Sequence, residues 1–247
     1  MMKRDVGYLV LCFILILLFI FACYFAGASI GLSTPEVEAP QPQPQPQAQH
    51  GFDKETLEAL DALIKSLEQL EQELRKYNDL SNRTGLSEVI LACIKAEATR
   101  NGFAPSESLG KIQLESQFNP DSVGLNKNSS GKIISADIGL WQINSKTAPW
   151  LWAKVFPGID YIADYEVAEG IFIDSRLFDP VVNTKLGSWF HGYLLKQYAG
   201  DRERAHTAYN RGEGGLEKWM ASRGTARSPY SAKVIHLSNQ WKGVNDL

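Results

Sequence analysis

The sequence is poor in cysteine and has no excess of positive charge. Only three cysteines occur among 247 residues, and Cys12 and Cys23 both fall in one apolar stretch. Cys93 is the single thiol in the rest of the chain, so an intrachain disulfide is excluded there and stability must come from a packed core. The formal net charge of −3 argues against nucleic acid as a partner, because nucleic-acid-binding proteins normally carry a basic patch.

Patterns that bind metals and nucleotides are also missing. The histidines show no metal-ligand spacing, and we predict that they lie at the surface or on helix faces; they are His50, His191, His206 and His236. Neither a calcium loop nor a glycine-rich phosphate loop is found, so we expect no metal and no other cofactor. Long alternating strands are absent too, which favours a mainly helical domain.

The N-terminal part is one long apolar run. Residues 6–30 contain no charged side chain, and about 20 apolar residues suffice for a helix to cross a bilayer. We interpret residues 1–31 as a single-pass membrane anchor, with a cleaved signal segment as the alternative. Lys3 and Arg4 precede the run, and positive residues tend to stay cytoplasmic. The N-terminus is therefore predicted in the cytoplasm and the rest of the chain outside the cell membrane, in a periplasm or a wall.

Two accessory segments follow the apolar run. Residues 32–52 contain the alternation PQPQPQPQ, which cannot build a core and favours an extended, semi-rigid linker. We predict that residues 53–80 form an amphipathic helix, which acts as a short coiled-coil stalk for self-association. The alternative is a single helix that docks on the next domain. A break is predicted over residues 78–85. The positions of the seven-residue apolar repeat are Leu60, Leu63, Leu67, Leu70, Leu74 and Tyr77.

Residues 85–247 are predicted to form one mostly helical domain. The segment KNSSGKII at 127–134 is typical of a hairpin, because a Ser-Gly turn precedes a short β-branched run. Boundary signals set the ends of the predicted helices. Examples are Asn101-Gly102 after the first of them and Pro105 at the start of the second. The predicted helices span residues 86–100, 105–118, 183–198, 202–209 and 230–241.

Glu115 is the candidate catalytic acid. It lies in KIQLESQFNP, near the end of a predicted helix whose preceding residues are largely apolar. Partial desolvation of a carboxyl group raises its pKa, as a general acid requires. Cleavage of a glycosidic bond needs such an acid, because the leaving sugar oxygen must be protonated. Taken alone, a glutamate near a helix end is more often a solvated or capping residue.

Four motifs in order give Glu115 its context: ESQFNP at 115–120, GLWQIN at 139–144, AYNRG at 208–212 and SPYSAKV at 228–234. Together they resemble the SLT-type lytic transglycosylases of the lysozyme-like group, over about residues 86–234. The resemblance implies a mainly α, lysozyme-like (α+β) catalytic domain with a small hairpin region. It also implies cleavage of the β-1,4 bond between N-acetylmuramic acid and N-acetylglucosamine in the glycan strands of peptidoglycan.

The resemblance also implies roles for single residues. Glu115 becomes the acid that protonates the bridging oxygen, and then the base that draws a proton from the sugar's own 6-hydroxyl. That second step closes a 1,6-anhydro ring without water. Contacts with the glycan are implied for Ser116, the backbone of Gly139, Gln142, Tyr209, Asn210 and Tyr230.

One departure from the family pattern leaves alternatives open. The insert GLNKNSSGKIISAD places Asp137 just before GLWQIN, as in animal-type lysozymes and in the transglycosylases of conjugation and secretion systems. The first likeness makes Asp137 a candidate second carboxylate and the protein a hydrolase, whereas an Asp137 turned away from Glu115 would be a turn residue. The second likeness suggests a conjugation or secretion machine as partner. A non-catalytic protein of peptidoglycan binding or assembly is the alternative from another class.

Overall fold

The computed structural model describes residues 53–244, so the predicted anchor at 1–31 and linker at 32–52 lie outside the described residues. The described part is mainly helical, as predicted. Within it, no helix combines the length and the apolarity needed to cross a membrane. Its helices are α1 (Lys54–Thr84), α2 (Glu88–Arg100), α3 (Pro105–Ser116), α4 (Ala148–Val155), α5 (Pro180–Gln197), α6 (Arg202–Arg211), α7 (Glu213–Arg223) and α8 (Pro229–Gln240). Its strands are β1 (Val123–Lys127), β2 (Ile133–Ile138), β3 (Ile143–Asn144), β4 (Tyr165–Ala168) and β5 (Ile171–Ile173).

Helix α1 is longer than predicted. The Asp53 side chain accepts a hydrogen bond from the Thr56 amide at 2.7 Å, and Gly85, with φ of +73°, ends the helix. The break predicted over 78–85 is therefore wrong, because Leu80 is buried in the core and its contacts keep the last turns helical. The C-terminal turns of α1 thus dock on the domain that follows.

The helices predicted within residues 85–247 are confirmed, with small shifts at their ends. Helix α5 begins three residues early, at Pro180, because the Asp179 carboxylate accepts hydrogen bonds from the next two amides. Helix α8 begins at Pro229, where Ser228 and Ser231 form a reciprocal capping box. Helices α4 and α7 were not predicted.

The predicted hairpin is confirmed as β1 and β2. They pair antiparallel from Val123 opposite Ile138 to Lys127 opposite Ile133. Strand β3 adds to the other edge of β2 and places Asn144 opposite Asp137. Strands β4 and β5 form a separate two-stranded sheet. Asp137 therefore lies on the middle strand of the larger sheet, between two partners.

Close packing of α3 against α8 brings distant parts of the chain together. A Cβ atom on Gly110 would overlap the backbone nitrogen of Ser238, so glycine allows the two helices to touch at this point. The helices run antiparallel, and the end of α3 therefore lies beside the start of α8. This packing places Glu115 next to Tyr230.

Candidate active site

A cleft of about 280 Å³ opens at the end of α3. The hairpin, the β3 segment, α4, α5 and α6 form its other walls. Its polar side chains come from segments far apart in the sequence, namely Glu115, Asn126, Asp137, Gln142, Asn144, Thr147, Tyr209 and Asn210. Five of the eight residues predicted as catalytic or glycan-binding line it: Glu115, Asp137, Gln142, Tyr209 and Asn210.

Glu115 is partly buried and is held by one hydroxyl group. The Tyr230 hydroxyl donates a hydrogen bond to its Oε1. Burial raises the pKa of Glu115, and the negative charge of Asp137 raises it further. The Tyr230 hydrogen bond and the charge of Lys111 lower it, but the net shift of the pKa is upward. This carboxyl group therefore holds its proton to higher pH than an ordinary glutamate does.

Asp137 faces the same cleft and is fixed by two amide groups. Its Oδ1 accepts a hydrogen bond from Asn144 Nδ2 at 2.7 Å, and its Oδ2 accepts one from Asn126 Nδ2 at 2.8 Å. The side chain is thus not turned away from Glu115. Both of its oxygens are engaged by protein groups, which orients the carboxylate as a fixed negative charge in the cleft.

Gln142 lines the cleft in a constrained conformation. Its backbone has a φ of +47°, and its Nε2 donates to the carbonyl oxygens of Ser122 at 3.1 Å and Gly139 at 2.9 Å. A Cβ atom on Gly124 would lie 2.9 Å from Gln142 Oε1. Backbone groups on both sides therefore fix the position of this amide.

Gly139 and Ser116 lie beneath the cleft and do not line it. Gly139 has a φ of +76°, and a Cβ atom there would come within 2.5 Å of Asn183 Nδ2. The buried Ser116 hydroxyl lies 3.0 Å from the carbonyl oxygen of Leu140 and 3.2 Å from that of Ile112. Both residues therefore join the GLWQIN segment to the helices beneath it.

Asn183 is a supporting residue that the sequence analysis missed. Its Oδ1 accepts from the Trp141 amide at 2.9 Å, and its Nδ2 donates to the carbonyl oxygens of Ile138 at 2.8 Å and Leu177 at 3.0 Å. Trp141 itself is fully buried against Gly187. From α6, the Tyr209 hydroxyl donates to the Trp141 carbonyl oxygen at 2.8 Å, so three helical contacts hold this wall of the cleft.

Of the histidines predicted at the surface or on helix faces, two lie on helix faces that are buried. His191 and His206 are fully buried around Glu107. Glu107 Oε1 lies 2.8 Å from His191 Nε2 and 3.2 Å from His206 Nε2, while Arg202 Nε lies 3.0 Å from Oε2. A sequence signal was present in α3, where the opposite charges of Glu107 and Lys111 stand one turn apart on one helix face.

Glu107, His191 and His206 have the side chains of a metal site but not its geometry. The two imidazole rings stack nearly parallel, at 10°, with centroids 4.8 Å apart. A shared ion must lie close to the plane of each ring, along the lone pair of its nitrogen, and stacked rings have no such common point. Arg202 also occupies the second oxygen of Glu107. The arrangement fits a hydrogen-bonded ionic cluster better than a bound cation.

Comparisons with known proteins give a family match. A family model described as the transglycosylase SLT domain matches residues 92–230. A search of curated proteins finds no match.

Three solved structures of lytic transglycosylases are similar. An inactive mutant of lytic transglycosylase Slt from Pseudomonas aeruginosa has a TM-score of 0.45 and 21% identity over 63% of this chain and 24% of its own. The 70 kDa soluble enzyme from Escherichia coli has a TM-score of 0.43 and 22% identity over 67% of this chain and 24% of its own. A 70 kDa soluble enzyme in complex with bulgecin A has a TM-score of 0.45 and 20% identity over 62% of this chain and 24% of its own.

This chain therefore spans about a quarter of the length of these structures. The family match, by contrast, runs over more than half of this chain and includes the ESQFNP, GLWQIN and AYNRG segments. On that match, the protein belongs to the transglycosylase SLT family.

Proposed function

We propose that the protein cleaves the β-1,4 bond between N-acetylmuramic acid and N-acetylglucosamine in peptidoglycan, with Glu115 as the general acid. The observation that carries this proposal is a partly buried carboxyl group with a raised pKa at the wall of a polar cleft. A protonated carboxyl group near neutral pH is what departure of the sugar oxygen requires. Membership of the SLT family supports the choice of peptidoglycan as substrate.

The same carboxyl group then serves as the base. After it has given its proton to the bridging oxygen, Glu115 is a carboxylate and accepts the proton of the muramic 6-hydroxyl. The 6-oxygen bonds to C1 as the old glycosidic bond breaks, which yields a 1,6-anhydro end and consumes no water. Tyr230 holds Oε1 through its hydroxyl, so we assign both proton transfers to Oε2.

A lysozyme-like hydrolysis is the second candidate, and the position of Asp137 favours it. Asp137 lines the cleft with Glu115, as a second carboxylate must. Because Asn126 and Asn144 already engage both of its oxygens, its role would be to stabilise positive charge at C1. Water would then attack C1, and Glu115 would take the proton of that water.

Digestion of purified sacculi in heavy-oxygen water separates these reactions. Transglycosylation predicts soluble muropeptides with anhydro-muramic ends and no heavy oxygen, read by mass spectrometry. Hydrolysis predicts reducing ends that carry one heavy oxygen. Folded protein that binds sacculi but releases nothing would overturn both and indicate a non-catalytic protein of wall binding or assembly.

We propose that the protein is anchored in the cell membrane by residues 1–31 and acts on the outer side. The basis is the uncharged apolar run at 6–30 behind Lys3 and Arg4. Protease added to intact spheroplasts is then expected to degrade the catalytic part; full protection would contradict this orientation.

If the enzyme serves a conjugation or secretion machine, loss of its activity should block transfer while growth continues.

We propose that the N-terminal part of α1 pairs with a second copy of the chain. Leu60, Leu63 and Leu70 are 46%, 56% and 61% exposed on the seven-residue repeat. Farther along, Tyr77 and Leu80 pack on the chain's own core, so only the first turns of the repeat are available to a partner. A leucine seam of this kind is buried when two helices supercoil.

Leu63→Glu combined with Leu70→Glu is expected to convert a dimer of the full chain in detergent into a monomer, because two charges would then be buried in the seam. Sedimentation equilibrium measures the mass. Ala62→Glu lies outside the a and d positions and is the matched control, which should remain dimeric. A monomeric wild-type chain would contradict the proposal.

A further inference from the structure

Lys111 is fully buried one helical turn before Glu115 on α3. Its Nζ lies 3.1 Å from His191 Nδ1 and 3.6 Å from the centroid of the Tyr209 ring. A buried ammonium group is costly unless hydrogen bonds and opposite charges compensate it. The reaction as described above makes no use of this residue, so its position beside the catalytic carboxyl group needs a reason.

Glu107 anchors Lys111 through His191. Glu107 Oε1 accepts the proton of His191 Nε2 at 2.8 Å, so Nδ1 carries the lone pair that accepts a hydrogen bond from Lys111; this tautomer is assigned from the partners. Burial lowers the pKa of His191, and the charge of Lys111 lowers it further, which keeps the ring neutral. Burial raises the pKa of Glu107, but His191 and His206 together hold it well below the ordinary value. Glu107 is therefore a fixed anion.

Loss of the Glu115 proton creates an anion one helical turn from Lys111. While Glu115 is protonated, Glu107 is the carboxylate that acts on the charge of Lys111, and Arg202 also contacts Glu107 at 3.0 Å. When Glu115 gives its proton to the leaving oxygen, its carboxylate adds a second negative charge that acts on Lys111. Two unit charges attract more strongly in a poorly solvated interior than in water. The ammonium group thus favours the state that the acid step creates.

We propose that Lys111 is a positioning residue for the reaction, a buried ammonium group that stabilises the Glu115 carboxylate formed when the leaving sugar oxygen is protonated. The proposal rests on the proposed function. The groups that face the pair from the packed elements are Glu107 on α3, Asp137 on β2, His191 on α5, Arg202, His206 and Tyr209 on α6, and Tyr230 on α8.

The ionisation of the pair supports this role. Burial lowers the pKa of Lys111 to about 7, although the carboxylates of Glu115 and Glu107 oppose this shift, so the ammonium form depends on the anions around it. Lys111 in turn opposes the rise in the pKa of Glu115 that burial causes. Each group therefore helps the other to carry charge.

Lys111→Met is expected to move the alkaline limb of the pH–rate profile up by about one unit and to lower kcat about tenfold, since one pKa unit corresponds to a tenfold change. KM should stay unchanged, because Lys111 does not line the cleft. The rates are initial rates of muropeptide release by the full chain. The matched control is Lys196→Met, which removes an exposed lysine on α5. Its alkaline limb and its kcat should equal those of the wild type.

Lys111→Gln separates charge from hydrogen bonding, because its amide can still donate to His191. If the alkaline limb of Lys111→Gln shifts as it does in Lys111→Met, the charge of Lys111 carries the effect. The glutamine variant alone also tests the proposal if the methionine variant fails to fold. A wild-type profile in either folded variant overturns the proposal. No release by the wild-type chain would instead refute the proposed function, whereas an active wild type with an unshifted variant refutes only the role of Lys111.

Discussion

Glu115→Gln is expected to lower the release of soluble muropeptides from purified sacculi about a thousandfold, within the usual range for loss of general acid–base catalysis. Glutamine has nearly the same shape and can still accept the Tyr230 hydrogen bond, but it cannot give a proton to the glycosidic oxygen or take one from the 6-hydroxyl. The loss should therefore be in kcat, with little change in KM or in sacculus binding.

The control for this prediction is an exposed glutamate. Glu217→Gln on α7 makes the same chemical change outside the cleft and should leave release unchanged. Thermal unfolding of the Glu115 variant should match that of the wild type, or exceed it slightly, because an ionisable group in a partly buried position has been neutralised. A folded Glu115→Gln chain that releases muropeptides at the wild-type rate would remove Glu115 from the mechanism.

The rate of release is expected to fall as pH rises through the pKa of Glu115. The acid step needs the protonated carboxyl group, so activity is present below that pKa and declines about tenfold per pH unit above it. Burial raises the pKa of Glu115, and Asp137 adds to the effect against the opposing Tyr230 and Lys111. The decline should therefore begin at a higher pH than it would for an ordinary glutamate, whose pKa is about 4.3.

Initial rates measured on sacculi across the pH range, at constant ionic strength, check this dependence. Stability at each pH must be followed in parallel, so that unfolding is not mistaken for loss of the proton. An alkaline decline that already starts at the pH of an exposed glutamate would show that burial does not shift this group.

Local signals in the sequence predicted the helix ends that meet at the cleft, and the resemblance to the SLT family made Glu115 the candidate acid. A proline at the start of α3 and the capping box before α8 fix where these helices begin, and the motifs then fall at the helix ends that meet. The close approach at Gly110 completes the pairing of Glu115 with Tyr230, yet no local pattern in the sequence states which helix lies against that glycine.

Other features depend on tertiary packing and escaped prediction. Helix α7 contains Gly214 and Gly215, which have low helix propensity, and α4 has only eight residues. The burial of His191 and His206 follows from the charge of Glu107 on a different helix. Likewise, the orientation of Asp137 depends on Asn126 and Asn144 across two strands.

The proposed acid role requires that the Glu115 carboxyl group keep its proton above the pH at which an ordinary glutamate loses it. Carbon-13 NMR titration of the side-chain carboxyl groups, with the Glu115 signal assigned by its absence in Glu115→Gln, measures this directly. We predict a midpoint clearly above the ordinary glutamate value. A Glu115 signal that titrates with those of the exposed glutamates would contradict the account.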